Sequence, residues 1–193
     1  MNPIVSFVRS IPYERVILSL IKKDQVLPNA DFKKHIDAVE SLWLQHSGTI
    51  LGGIATILKL QWYTPQIKCY ILNAVIGHSF SDPLTVQYFK TPEEYIHTLT
   101  HELIHCILIE NQNQSIIKKS WENLIAEYKS ESRVTRVHII VHAVHEIILK
   151  KLFPEQLEKE KVKVDNPHYI KSWEIVDRVG AEKVVEKFIK AYK

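Results

Sequence analysis

Residues 91–111 read TPEEYIHTLTHELIHCILIEN, and this stretch carries the strongest helix signal in the chain. Thr91 is a candidate N-cap, Pro92 stands at the first helical position, and Glu94 follows the cap by three residues. Together they form the pattern of a capping box with a proline start. Apolar residues then recur at helical spacing. The stretch therefore predicts a helix over residues 92–110.

Within that helix, residues 101–105 read HELIH. Residues four apart lie on the same face of a helix, so His101 and His105 can direct their imidazoles at one metal ion. Glu102 begins the next face, from which its carboxylate can reach a water held by the metal. Two neutral nitrogens and a neighbouring carboxylate are typical of zinc hydrolases. The motif predicts a Zn²⁺ site with Glu102 as the catalytic base that activates a zinc-bound water.

A catalytic zinc site usually takes a third protein ligand from elsewhere and leaves the fourth position open. Residues 133–153 predict a helix capped by Ser132, and one side of it carries metal-binding residue types. These residues are His138, His142, His145 and Glu146. His142 is the first choice as third ligand. His138 and Glu146 are the alternatives, as ligands or as groups that contact a ligand or the substrate, and His145 ranks last.

The rest of the chain changes from strand patterns to helix patterns after residue 91. Runs rich in β-branched and aromatic residues predict strands over residues 54–63, 66–74 and 84–89, the last as a half-exposed edge strand. Apolar spacing and capping residues predict further helices over residues 13–23, 31–46, 116–128, 168–179 and 181–192. The Lys/Glu-rich residues 155–165 are expected to be a connection. This order predicts an α+β fold.

The predicted organisation is one catalytic domain over residues 1–153, followed by a helical extension over residues 154–193 that packs on the same domain. In the first part, the strands are expected to precede the helix that carries the HELIH motif. After that helix, only further helices are predicted. A chain of 193 residues is long enough for one compact core of this kind.

Composition narrows the class of protein. The net charge of +3 comes from interspersed Lys and Glu, and without a basic block it gives no evidence of nucleic-acid binding. The N-terminus lacks the pattern of a secretory signal, and no apolar run is long enough to span a bilayer. The two cysteines offer no disulfide framework. We therefore expect a cytoplasmic protein without a membrane partner, and the oligomeric state stays open.

At residues 101–105 the chain resembles the zincin metallopeptidases. Residues 137–143 (VHIIVHA) and 169–176 (YIKSWEIV) are similar to small, mostly uncharacterised minimal zincin-like proteins of archaea and phages. With the HELIH helix, the resemblance covers roughly residues 91–193. It implies a zinc metallopeptidase that acts on a peptide or protein substrate.

The resemblance also implies a zincin-like fold and roles for particular residues. A mixed sheet would back the active-site helix, and the strand over residues 84–89 would be the edge strand that pairs with an extended substrate. Glu102 would be the glutamate that activates water. The alternative is a zinc-stabilised binding or regulatory module without turnover, which would keep the ligands but would not depend on Glu102.

Overall fold

Four short strands of the described residues form one mixed sheet. This computed structural model describes residues 1–20 and 28–192. The strands are β1 (Ile4–Val8), β2 (Gln66–Ile71), β3 (Phe80–Ser81) and β4 (Leu84–Val86). Their order is β1-β2-β4-β3, with β1 and β4 parallel to β2 and with β3 antiparallel to β4. Because helices make up most of the remainder, the predicted α+β class is confirmed.

The helices agree with most of the predicted ones. They are α1 (Ile11–Ser19), α2 (Asn29–Leu58), α3 (Pro92–Asn111), α4 (Ser115–Glu127), α5 (Arg133–Leu152), α6 (Pro154–Lys163), α7 (Pro167–Val179) and α8 (Ala181–Ile189), with a final 3-10 turn at Lys190–Tyr192. The end of the helix predicted over residues 13–23 lies outside the described residues. Across residues 1–20 and 28–192, no helix combines the length and the apolar character needed to cross a membrane.

Contacts along the chain divide it into two units. The first consists of Met1–Leu51 and Trp62–Cys106, and it contains the sheet. The second consists of Gly52–Gln61 and Ile107–Lys193, and it contains α4 to α8. The division at residue 153 that we expect from the sequence stays a prediction.

In the first unit, α3 packs its apolar side against the sheet. Tyr95, on the first turns of α3, is fully buried, and its hydroxyl lies 3.8 Å from the Sγ of Cys69 in β2. The ring of Phe7 in β1 lies 6.1 Å from the same tyrosine ring. The predicted cap is present as well, because Thr91 Oγ1 accepts a hydrogen bond from the backbone N–H of Glu94. The sheet and this cap hold the start of the HELIH helix.

The strand predicted over residues 54–63 was wrong, because α2 continues through this region to Leu58. Four apolar side chains at helical spacing are almost fully buried here: Ile50, Leu51, Ile54 and Leu58. A short apolar run does not by itself distinguish a buried strand from a buried helix. The helix ends where Lys59 adopts a positive φ and Leu60 N–H donates to the carbonyl of Ala55. The helix predicted over residues 31–46 therefore continues past its expected end, and Gly48 lies inside α2.

The expected edge strand over residues 84–89 was also wrong. Its ordered part, β4, lies between β2 and β3 in the sheet. The turn at residues 82–83 folds the two-residue β3 back onto β4, with Phe80 opposite Thr85. All three residues of β4 are buried, not alternately exposed. The outer side of β4 is therefore occupied by the chain itself, and a substrate has no free edge there.

Residues 155–165 are not the predicted connection, since most of them belong to α6. Pro154 ends α5 and also begins the next helix, because proline is well tolerated at the first helical position. Leu157 anchors α6 by being almost completely buried. Because α6 is rich in Lys and Glu and has only a narrow apolar contact, its sequence pattern did not predict a helix.

The burial of the C-terminal part of α2 can be tested by one core substitution. Replacing fully buried Ile54 with alanine should lower the free energy of unfolding by about 2–5 kcal/mol, because it leaves a cavity in the core. The matched control is Leu44→Ala in the same helix, where 77% of the residue is exposed and the change should stay within about 0.5 kcal/mol. Urea denaturation measures both values. Equal effects of the two substitutions would contradict the burial of Ile54 in the core.

Candidate metal centre

The two histidines of the HELIH motif face each other on α3. The Nε2 atoms of His101 and His105 lie 3.3 Å apart, and the ring centroids are 5.0 Å apart. Two nitrogens bound to one tetrahedral Zn²⁺ at about 2.0–2.1 Å are themselves separated by about 3.3 Å. The pair therefore has the separation that a shared zinc ion requires, as the i, i+4 spacing predicts.

Glu102 lies beside this pair and is buried, with only 8% of the residue exposed. Burial raises the pKa of its carboxyl to about 8 in the metal-free protein. Buried carboxyl groups with raised pKa values are common among catalytic acids and bases. The position and environment of Glu102 suit a group that exchanges protons near neutral pH.

In the second unit, one ring nitrogen of His138 on α5 is hydrogen-bonded to the backbone. Its Nδ1 lies 2.8 Å from the carbonyl oxygen of Val134. A carbonyl only accepts hydrogen bonds, so Nδ1 carries the proton and Nε2 keeps its lone pair. Burial lowers the pKa of His138, and the contact with Val134 opposes this only in part. A neutral imidazole with Nε2 as the electron-pair donor is the form that binds metals.

His142 has a different environment, within the packing of α5 against α7. It is fully buried, and its ring stacks on the ring of Trp173 at 4.1 Å with an interplanar angle of 9°. Its Nδ1 lies 2.8 Å from Ser172 Oγ, which in turn donates to the carbonyl of Tyr169. Because that serine proton is already used, Nδ1 of His142 is the donor to Ser172. His142 thus ties two helices of the second unit together.

Glu146, the other alternative from the sequence, forms ion pairs with two lysines. Lys150 donates to one carboxylate oxygen, and Lys161 donates to the other at 2.8 Å. Burial works to raise the pKa of Glu146, but the hydrogen bonds from Lys150 and Lys161 outweigh it and lower the pKa. His145 is fully buried on the same helix. The carboxylate of Glu146 therefore belongs to an ion-pair network.

Two of the histidines singled out from the sequence, His101 and His105, form a possible ligand pair within the first unit. Imidazoles suit Zn²⁺ and also other divalent transition metals. The candidates for a third ligand, His138, His142 and Glu146, belong to the second unit.

Two residues next to candidate ligands were not singled out from the sequence, His97 and Tyr169. His97 precedes His101 by one helical turn, is buried, and has its pKa lowered by burial to about 3. The sequence signal that could have identified His97 is its spacing of four residues from His101. Tyr169 lies with its ring centroid 4.1 Å from that of His138. Residues 169–176 are part of the predicted resemblance to zincin-like proteins, but the contact of Tyr169 with a histidine of α5 depends on how α7 folds back.

Comparisons with protein-family models, with curated proteins and with solved structures found no match to this chain. The resemblance of residues 101–105 to the zincins therefore stays a prediction from the sequence. A functional conclusion rests on the residues of the chain and on the contacts described above.

Proposed function

We propose that this protein is a zinc-dependent hydrolase, specifically a zincin-type metallopeptidase, with His101, His105 and His138 as the metal ligands and Glu102 as the catalytic base. The observation that carries the proposal is the 3.3 Å separation of the Nε2 atoms of His101 and His105, which fits two ligands of one Zn²⁺. The buried carboxyl group next to His101 adds a proton acceptor. A ligand set of three imidazoles also leaves one position of a tetrahedral ion open, as hydrolysis requires.

The chemistry divides between the metal and Glu102. A bound Zn²⁺ would polarise the substrate carbonyl and lower the pKa of water. Glu102 accepts the proton of the attacking water and passes it to the amine that leaves when the peptide bond breaks. Burial favours this transfer, because a desolvated carboxylate is a stronger proton acceptor than one in bulk water. Peptides and proteins are the proposed substrates.

The choice of His138 over His142 follows from the contacts of each ring. Both rings carry their proton on Nδ1, which donates to the Val134 carbonyl in His138 and to Ser172 in His142, so Nε2 is the lone-pair nitrogen of each. The difference is that His142 is fully buried and stacked on Trp173, whereas His138 keeps 7% of its surface exposed. We therefore propose His138 in place of His142, which was the first choice from the sequence.

The third ligand can be identified by comparing substitutions on α5. Loss of a group that is hydrogen-bonded to a ligand usually weakens metal binding by about 10- to 100-fold. His138→Ala removes a proposed ligand itself, so it should weaken zinc binding by more than this. His142→Gln should leave zinc affinity close to that of the wild type, although its lost ring stacking will lower stability. Competition with a chromophoric chelator measures the affinities.

Glu146→Gln is the matched control, because it changes a carboxylate whose oxygens already pair with lysines on the same helix and on α6. It should also retain zinc affinity. Loss of zinc from the His142 or Glu146 variant, with retention by His138→Ala, would reverse the assignment of the third ligand.

A further inference from the structure

Helix α7 presents an aromatic ring to two histidines of α5. The ring of Tyr169 lies 4.1 Å from that of His138 and is tilted against it by 31°, so the two rings contact each other through part of their faces. The same tyrosine ring meets the ring of His142 nearly edge-on, at 5.6 Å and 80°. Tyr169 therefore contacts both histidines through its ring.

Polar contacts on either side of Tyr169 fix α7 along α5. Before it, Nδ1 of His168 lies 3.0 Å from the Oγ of Ser132, the residue that caps α5. After it, Ser172 Oγ accepts the hydrogen bond from His142 and donates to the backbone carbonyl of Tyr169. These contacts set the position of Tyr169 along α5, because movement of α7 by one residue would break both.

We propose that Tyr169 is a positioning residue that holds the imidazole of His138 in the orientation and tautomer of a metal ligand. The inference rests on the proposed function, in which His138 binds the metal. The Val134 carbonyl holds the proton on Nδ1, and the stacked tyrosine ring limits rotation of the imidazole about its bond to the side chain. Together they direct Nε2 before any metal arrives.

This role needs the ring of Tyr169 and not its hydroxyl group. Tyr169→Phe keeps the stacked surface and should behave like the wild type. Tyr169→Leu keeps an apolar side chain but removes the flat face, so the imidazole of His138 can rotate away from Val134. Ile170→Ala, on the same helix turn at a residue that is 39% exposed, is the control for a change that touches neither histidine.

The first measurement uses metal-free protein. In nitrogen-15 NMR spectra at a pH where His138 is neutral, the wild type, Tyr169→Phe and Ile170→Ala should show His138 as a single Nδ1–H tautomer. The signal is assigned by its loss in His138→Gln. Tyr169→Leu should show a mixture of both tautomers, while its other imidazole and amide signals report an intact fold.

The second measurement is zinc affinity, by competition with a chromophoric chelator. Tyr169→Leu should bind zinc about 10- to 100-fold more weakly than the wild type, the usual effect of removing a group that orients a ligand. Tyr169→Phe should restore the wild-type affinity. A loss that phenylalanine does not restore would assign the role to the hydroxyl group and overturn the stacking inference.

The two proposals fail in different ways. If Tyr169→Leu keeps both the single tautomer and the wild-type affinity, Tyr169 does not position His138. If the wild-type protein binds no zinc, the proposed function fails, and the tautomer measurement still decides whether Tyr169 orients the ring.

Discussion

Replacing His101 and His105 together with alanine should abolish stoichiometric zinc binding. Their Nε2 atoms are 3.3 Å apart and supply two of the three proposed ligands. The double variant keeps only one proposed ligand, His138, and a single imidazole does not bind zinc as tightly as three ligands together. Metal content after dialysis, measured by inductively coupled plasma mass spectrometry, should fall from one zinc per chain to background.

The control for this double variant replaces two histidines outside the proposed site, His46 and His78, with alanine. It removes the same number of imidazoles and should retain one zinc per chain. Circular dichroism of the metal-free proteins checks that α3 still folds, since alanine is a better helix former than histidine. Full zinc occupancy in the His101/His105 double variant would refute the site.

Replacing Glu102 with glutamine should leave zinc bound but remove hydrolysis. Glutamine has the shape of the carboxylic acid and cannot accept a proton from water, so the rate should fall by about 100- to 10,000-fold. Burial already raises the pKa of Glu102 to about 8, so a neutral side chain suits this position and stability should change little. Cleavage of a peptide mixture, followed by mass spectrometry with and without 1,10-phenanthroline, measures the effect.

Glu93→Gln is the matched control, because it makes the same chemical change in the first turn of the same helix. It should cleave peptides like the wild type. Equal turnover by the Glu102 and Glu93 variants would remove Glu102 from the mechanism. A zinc-loaded wild type that cleaves no peptide, and in which Glu102→Gln changes nothing, would instead support a zinc-stabilised binding module.

Local patterns predicted the helix that carries the proposed ligands and the separation of its two histidines. Thr91 and Pro92 mark the helix start, and the four-residue spacing of His101 and His105 specifies one face. These signals involve neighbours in the chain, so they need no knowledge of the rest of the fold. The same kind of signal predicted α4, α5, α7 and α8.

Where a segment depends on distant partners, the local pattern was insufficient. Residues 54–58 suit a buried strand as well as a buried helix, and the packing around Ile54 selected the helix. In the sheet, β4 has the composition of an edge strand, but pairing with β3 gives it an interior position. Strand order depends on contacts that the alternation of residues does not encode.

The sequence by itself determined that α3 would carry His101, Glu102 and His105 together, because the helical repeat alone brings these residues to adjacent positions. It also limited the candidates for a third ligand to a few residues of α5. Only contacts in the tertiary structure support our proposal of His138 among them. His142 is fully buried against Trp173, and Glu146 pairs with two lysines. His138 is contacted by Val134 and Tyr169. Such contacts join residues up to 31 positions apart, and helical periodicity carries no information about them.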